Sequence, residues 1–598
     1  MKSTVLPALL ALTVAFAACG PAPAGAPVTP TSVAAPTATP LSGEAALLAT
    51  MAASAPPTSS LPPTPTVPLP TPFPTITLGP AVEPRPLPGG WWDNAVCYEI
   101  FVRSFYDSDG DGIGDLNGLI AKLDYINDGN PSGGADLGAS CIWLMPVAEA
   151  GSYHGYDVID YYTVEQDYGT NEDFKRLVME AGARGIRVIV DLVLNHTSSA
   201  HPWFRDALNN PASPYRDWYI WSPVDPGYRG PWGQQVWHRS PARSEYYYGV
   251  FVAEMPDLNY RNPAVVAEAE RIAAFWLNEM GVDGFRLDAI KHMVENGVEQ
   301  EGTRETHAWM REFEAAIERA RPGAFTIGEV YGGRPGTLDA YYPDQSDAYF
   351  EFGVAEAILR SANSGAPGPY LAAVSEAMTR LPFQRWAPFL TNHDQERAMT
   401  TLGGDTGKAR AAAVALLTLP GMPFVYYGEE IGMAGAKPDE RIRTPMQWNA
   451  EAGAGFSVGA PWQAPQSNYA AVNVAAQALD PDSLLNLYRT LIRLHTTRPA
   501  LAQGDFTVLD AGGPVAAFVR RAGDDAVLVA INFSAGAISG STVSVARSTL
   551  DPGIYAYDAL LGVAAPGLLT VNAGGAIVPM VLPDIPPHGA LIMGLARR

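Results

Sequence analysis

Three carboxylates stand directly after short apolar runs. Asp288 closes Gly284-Phe285-Arg286-Leu287-Asp288, Glu329 follows 325–328, and Asp394 closes Thr391-Asn392-His393-Asp394. His393 and His196, the latter ending Asp191-Leu192-Val193-Leu194-Asn195-His196, stand in matching places. A carboxylate beside a run that folding buries is costly unless it is paired or put to use. One alone reads equally well as a helix cap or a surface charge; the whole set in this order does not. Two carboxyl groups roughly 5 Å apart can break a glycosidic bond with retention, one attacking as nucleophile, the other working as acid and then base. Arg286 favours the anion of Asp288, which suits the nucleophile. Two Asp charges near Glu329 make it hold its proton longer, which suits the acid. Asp394 is expected to grip sugar hydroxyls and favour a distorted ring, with His196 and His393 donating hydrogen bonds to hydroxyls.

A second pattern is a loop with Asp107, Asp109, Asp111, Ile113 and Asp115 at alternate positions and Gly110 and Gly112 between them. Side-chain oxygens so spaced, with the Ile113 carbonyl, can wrap Ca2+. The twelfth position, Gly118, lacks the Glu of a full EF-hand loop, so a short calcium loop is expected.

These residues need a frame. Strand-like runs at 97–105, 142–147, 187–193, 284–288, 325–330, 349–352, 387–391 and 424–427 are separated in many places by helical stretches, among them 171–183, 263–279 and 304–320. Eight strands with intervening helices predict an α/β fold, a (β/α)8 barrel whose active site lies at the carboxyl ends of its strands. The aromatic, irregular stretch 197–257 is too long for a loop and reads as an inserted domain after the third strand. The barrel therefore comprises 89–196 and 258–503. Residues 504–598 alternate as strands with Gly and Pro turns, predicting an antiparallel β-sandwich.

The chain has 598 residues and a formal charge of −23, which disfavours nucleic acid and anionic headgroups as partners and suits a neutral polymer. Residues 1–18 read as an export signal ending Phe16-Ala17-Ala18 before Cys19, where small residues ahead of a Cys resemble a bacterial lipobox. Lipidation of Cys19, an extracytoplasmic location and a Pro/Thr-rich tether over 19–88 are expected. Cys97 and Cys141 are too few for a disulfide framework and are expected as buried free thiols rather than a bridge.

The segments around Asp288, Glu329, Asp394 and His196 resemble the signature regions of glycoside hydrolase family 13, the α-amylase family. His154-Gly155-Tyr156-Asp157, Met255-Pro256-Asp257-Leu258-Asn259 and Tyr427-Gly428-Glu429-Glu430-Ile431-Gly432 extend the likeness across about residues 90–598. The resemblance implies that Asp288 is nucleophile, Glu329 acid/base and Asp394 transition-state stabiliser. It implies Tyr156 as the aromatic platform under the sugar, with His196, Arg286 and His393 as its polar partners. Lys291 and His292 are implied as contacts on the leaving-group side, and Asn195 as a ligand of a second calcium site. The Met255–Asn259 segment resembles a group that includes lipoprotein α-amylases, whereas Arg443-Thr444-Pro445-Met446-Gln447-Trp448 resembles α-glucosidases, oligo-1,6-glucosidases and trehalose synthases. Ala289 after the nucleophile goes with α-1,4 specificity among those relatives. The expectation is retaining endo-hydrolysis of α-1,4-glucans by a monomer, with an exo-acting α-glucosidase or a transglycosylase as the alternative. A non-catalytic sugar-binding lipoprotein is the remote one, since all three carboxylates are present.

Overall fold

The computed structural model describes residues 87, 89–563 and 565–598. Cys19, the export signal and the tether as far as residue 86 lie outside the described residues. Eight parallel strands form one sheet: β1 Cys97–Ile100, β2 Cys141–Leu144, β3 Arg187–Leu192, β4 Gly284–Leu287, β5 Phe325–Gly328, β6 Ala348–Phe350, β7 Trp386–Ala387 and β8 Phe424–Tyr426. They pair in the order β7-β6-β5-β4-β3-β2-β1-β8. Backbone bonds from Met422 to Trp386 (3.3 Å) and from Phe424 to Pro388 (2.9 Å) join β7 to β8 and close the (β/α)8 barrel.

Alternation along the strands decides what meets inside. Cys97, Cys141, Trp143, Ile189, Phe325, Ile327, Phe350 and Phe424 form a closed apolar cluster within the barrel. The residues between them, such as Tyr98, Ile142, Val188 and Phe285, face the surrounding helices and join the larger core. Period two therefore carries Glu99, Asp191, Arg286, Asp288 and Glu329 onto the inner face toward the strands' carboxyl ends.

The helices form for local reasons. Asn171–Ala183 starts on a capping box between Thr170 and Asp173 and buries Phe174, Leu177, Val178 and Ala181 at helical spacing. Pro263–Asn278 begins with Pro at its first turn and the Asn262 side chain as cap.

The stretch after β3 holds the helix Pro202–Asn209 and a three-stranded sheet of Trp221–Ser222, Tyr246–Tyr248 and Trp237–Arg239. Bridges His196↔Asp257 and Tyr219↔Leu258 pin it to the barrel mouth. The carboxyl-terminal strands are antiparallel, and their two edges meet: Thr507–Ala511 pairs with both Val515–Ala522 and Thr542–Val545, so the expected sandwich is a closed eight-stranded barrel. Phe518, Ile531 and Phe533 from it join the core of the first barrel.

One expectation is corrected. Cys97 and Cys141 are register partners at the starts of β1 and β2, with Cα atoms 4.3 Å apart, and are joined as a disulfide. Parallel pairing brings together two thiols that lie 44 residues apart in sequence. No helix among the described residues is long and apolar enough to cross a membrane.

Candidate active site

Arg286 organises the mouth of the barrel. It sits on β4, is 1% exposed, and meets three carboxylates. One terminal nitrogen, Nη1, donates to Asp191 at 2.7 Å and to Asp288 at 2.6 Å; the other, Nη2, lies 2.8 Å from Glu329 Oε2. One planar cation thus bridges Asp288 and Glu329 from adjacent nitrogens, a rigid fork geometry that Lys cannot reproduce. The Glu329 Oε1 atom is buried and makes no hydrogen bond to any described residue. Ala289, next in sequence to Asp288, has φ 49°, which for an alanine is strained. That turn brings its N–H to 3.4 Å from Glu329 Oε2. Strain held at such a place is a recurrent mark of functional sites.

The electrostatics separate these carboxyls. Burial pushes Glu329 up to about 7; Arg286 pulls against it, and the charges of Asp288 and Asp394 push with it. Asp191 is pushed up to about 7 for the same leading reason, again opposed by Arg286. Burial also acts on Asp394, but His393 (Nε2 at 3.2 Å) and Arg443 (2.9 Å) hold its carboxyl well below the usual range. The site therefore contains a carboxyl that keeps its proton near neutrality and another that stays anionic, the division of labour an acid/base and an electrostatic stabiliser need.

His393 is fixed from below. Its Nδ1 donates to Glu99 on β1 at 2.6 Å, and its Nε2 faces both Asp394 and the Tyr156 hydroxyl. Burial lowers its pKa, yet Asp394 and Glu99 more than offset that and raise it to about 9. Tyr156 stacks on the imidazole at 5.6 Å and 15° and donates to Asp191 at 3.0 Å. Its ring is held rigidly at the pocket, as a platform requires.

The pocket over these groups is lined by Tyr156, His196, Phe251, Met255, Asp288, Ala289, Lys291, Glu329, Tyr331 and Asp394. The three expected catalytic carboxylates, Tyr156, His196 and Lys291 are brought together there. His393 lies beneath Tyr156, and His196 Nε2 is 3.0 Å from the Tyr156 carbonyl, to which only an N–H can donate. Both histidines thus hold Tyr156 in place. His292 stands behind the lining, with Nδ1 2.9 Å from the Gln300 carbonyl. Glu99, Asp191 and Arg443 are site members that sequence reasoning did not assign.

The loop expected to wrap Ca2+ brings part of its oxygen set together. Asp107, Asp109 and Asp115 place carboxylate oxygens within 4.8 Å of one another. An all-oxygen set of this kind fits a hard cation, which takes 6–8 oxygens and draws the rest from carbonyls and water. Asp111 lies outside that set, exposed, its Oδ1 accepting the Ile113 N–H at 2.7 Å. Around Asn195 no second group of three carboxylate, imidazole or thiol ligands occurs among the described residues; its amide donates to the His292 carbonyl at 2.9 Å.

Comparison with known proteins extends the geometry. Residues 99–504 match the family model described as the α-amylase catalytic domain. "Alpha-amylase 3" of Dictyoglomus thermophilum is 41% identical over 428 residues, covering 69% of this chain and 79% of that protein. A trehalose synthase/amylase of Mycobacterium tuberculosis is 35% identical over 496 residues, covering 73% and 80%. The crystal structure of an α-amylase from H. orenii superposes with a TM-score of 0.73 at 40% identity, covering 84% of this chain and 99% of that one.

Proposed function

Since the chain belongs to the α-amylase family of glycoside hydrolases, we propose that it cuts α-1,4-glucosidic bonds inside starch, glycogen and maltooligosaccharides, with Asp288 as nucleophile and Glu329 as acid/base. The observation that carries the assignment is the Arg286 bridge: it grips Asp288 and Glu329 together while Glu329 Oε1 is left without a protein partner in a pocket-lining side chain. Attack by Asp288 on the anomeric carbon expels the leaving oxygen, which takes the Glu329 proton; Glu329 then deprotonates the water that releases the sugar with its configuration retained. Asp394 binds hydroxyls of the distorted ring, and Tyr156 supports its face. Lys291 lies on the leaving-group side.

Endo attack rests on the higher identity to the two α-amylases than to the trehalose synthase and on the resemblance of Met255–Asn259 to a group that includes lipoprotein α-amylases, while the small side chain of Ala289 supports the α-1,4 linkage. The resemblance of 443–448 to α-glucosidases, oligo-1,6-glucosidases and trehalose synthases favours the second reading, an α-glucosidase or transglycosylase. The leader ending at Cys19 supports a lipid-tethered enzyme outside the cytoplasm, and the Cys97–Cys141 bridge agrees with an oxidising compartment. Asp107, Asp109 and Asp115 would hold Ca2+, which would tie the loop after β1 without entering the chemistry.

A time course on maltoheptaose with a blocked non-reducing end decides the mode of attack. Endo hydrolysis cuts the blocked substrate and lowers starch–iodine colour before reducing ends accumulate. Release of glucose alone, with the blocked substrate intact, would move the enzyme to the α-glucosidase reading.

A further inference from the structure

The hydrogen bonds around His393 fix its charge. The residue is wholly buried under the mouth of the barrel. Its Nδ1 lies 2.6 Å from Glu99 Oε1, a carboxylate oxygen that can only accept. Its Nε2 faces the Tyr156 hydroxyl oxygen and, at 3.2 Å, Asp394 Oδ2. The single Tyr156 hydroxyl proton goes to Asp191 at 3.0 Å, so toward His393 that oxygen can only accept. Both ring nitrogens therefore carry protons, and the ring is an imidazolium. Burial opposes this charge, and Asp394 with Glu99 outweighs burial, so the pKa stands at about 9.

The ring cannot turn to change what it offers. Glu99, on β1 and itself 1% exposed, also accepts the His393 backbone N–H at 3.3 Å. Trp143 meets the ring edge-on at 5.5 Å, and Tyr156 stacks on it. Arg443 holds the same turn, with Nε donating to the His393 carbonyl and Nη2 to Asp394, both at 2.9 Å. Asp191 on β3 and Glu329 after β5 feel the ring's charge. Arg286 on β4 stands over Trp143 and Tyr156, the two rings that flank it. Glu429, after β8, lies close enough to feel the charge of Glu99. With the geometry held on every side, the protonation state alone decides what Nε2 presents.

A neutral imidazole in this place would keep its one proton on Nδ1, toward the Glu99 acceptor. It would then aim a lone pair at the Asp394 carboxylate. Asp394 would lose a donor and meet repulsion, and the Tyr156 hydroxyl would swing its proton from Asp191 to the bare nitrogen. We propose that Glu99 is a positioning residue for the reaction: its buried charge keeps His393 doubly protonated, so that Nε2 holds both Asp394 and Tyr156 where the sugar needs them. The roles of Asp394 and Tyr156 rest on the proposed function; the charge of His393 rests on its hydrogen bonds.

The test uses the full chain and Glu99→Gln, which keeps an acceptor for Nδ1 and removes the charge, with circular dichroism as the folding control. The ring nitrogens of His393 are read by 15N NMR of histidine-labelled protein, assigned by the signals that His393→Asn lacks. The chemistry is read as first-turnover fluoride release from α-glucosyl fluoride in the Glu329→Gln background, where no acid is required and a limb from His393 stands alone. With Glu99 in place, both nitrogens should be protonated at pH 7, and fluoride release should hold level up to about 9. In Glu99→Gln the NMR titration and the fluoride limb should move together, about 1–3 pH units lower. A shift of about two units would leave fluoride release about tenfold slower at pH 8 and unchanged at pH 5. A singly protonated His393 at pH 7 in the wild type, a measurement that needs no folded Glu99 variant, would overturn the proposal. So would a Glu99→Gln profile lowered equally at every pH, the mark of a purely structural role. His393 titrating as expected in a protein that cleaves no α-glucan would keep the Glu99–His393 coupling and overturn the proposed function instead.

Discussion

Glu329→Gln tests the acid/base assignment through the pH profile. Glutamine keeps the shape but carries no transferable proton. Burial and the neighbouring charges of Asp288 and Asp394 lift Glu329 from an ordinary 4.5 to about 7. In the wild type, kcat/KM reports ionisations of the free enzyme, so it should hold level below about 7 and fall roughly tenfold per pH unit above it. The substitution should cost about 10³-fold on a natural glucan, in the range of general acid catalysis. It should also erase the limb near 7. Asp191 is lifted to about the same value, so the variant decides which carboxyl owns the limb. With α-glucosyl fluoride, whose leaving group needs no proton, the first step should recover to within about tenfold of wild type. The same shift has a stability consequence. A folded-state pKa raised above the unfolded one gives stability that is complete below the unfolded value and lost as pH rises through the folded value. From 4.5 to about 7 this amounts to about 3 kcal/mol, so Glu329→Gln should be more stable than wild type above neutrality and equal to it near pH 4. A limb near 7 that survives in the variant, or a loss under tenfold on starch, would refute the assignment.

Arg286→Met should lower stability by about 3–5 kcal/mol, measured by urea denaturation, because it leaves three buried carboxylates without their cation; the deficit should deepen as pH rises through 7, since Asp191 and Glu329 are then forced to ionise. An unchanged midpoint at pH 8 would mean that the guanidinium does not hold the cluster. Chelator should lower the melting temperature of calcium-loaded protein, by a margin set by RT ln(1 + [Ca2+]/Kd), about 2.7 kcal/mol at a hundredfold excess over Kd. Asp109→Ala should remove that sensitivity and Asp111→Ala should not, because Asp111 lies outside the oxygen cluster; equal effects of both would discard the three-carboxylate site.

Much of the catalytic frame was legible because one rule acts twice. Strand alternation marks the barrel, and the same period carries Arg286, Asp288 and Glu329 to its inner face. Residues joined only by tertiary pairing escaped. Glu99 is 294 residues from His393, and Arg443 is 49 from Asp394. Glu99 did leave a signal, a lone carboxylate within the buried run Cys97–Ile100. The Cys97–Cys141 bridge left none, since it depends on the register of two parallel strands. Asp109 and Asp111 have identical spacing, and the loop's own turn separates them. The insert's strands, two or three residues long, carry no readable alternation. Closure of the carboxyl-terminal barrel depends on an edge pairing that local patterns do not specify.

The central claim is that Asp288 forms a covalent bond to the sugar during turnover. Incubating the Glu329→Gln protein with α-glucosyl fluoride should build up that intermediate, because attack needs no acid while release needs the missing base. Peptide mass spectrometry of the quenched protein should then find one hexose on Asp288. A hexose on a different carboxylate, or unmodified protein accompanied by β-configured product, would contradict the account.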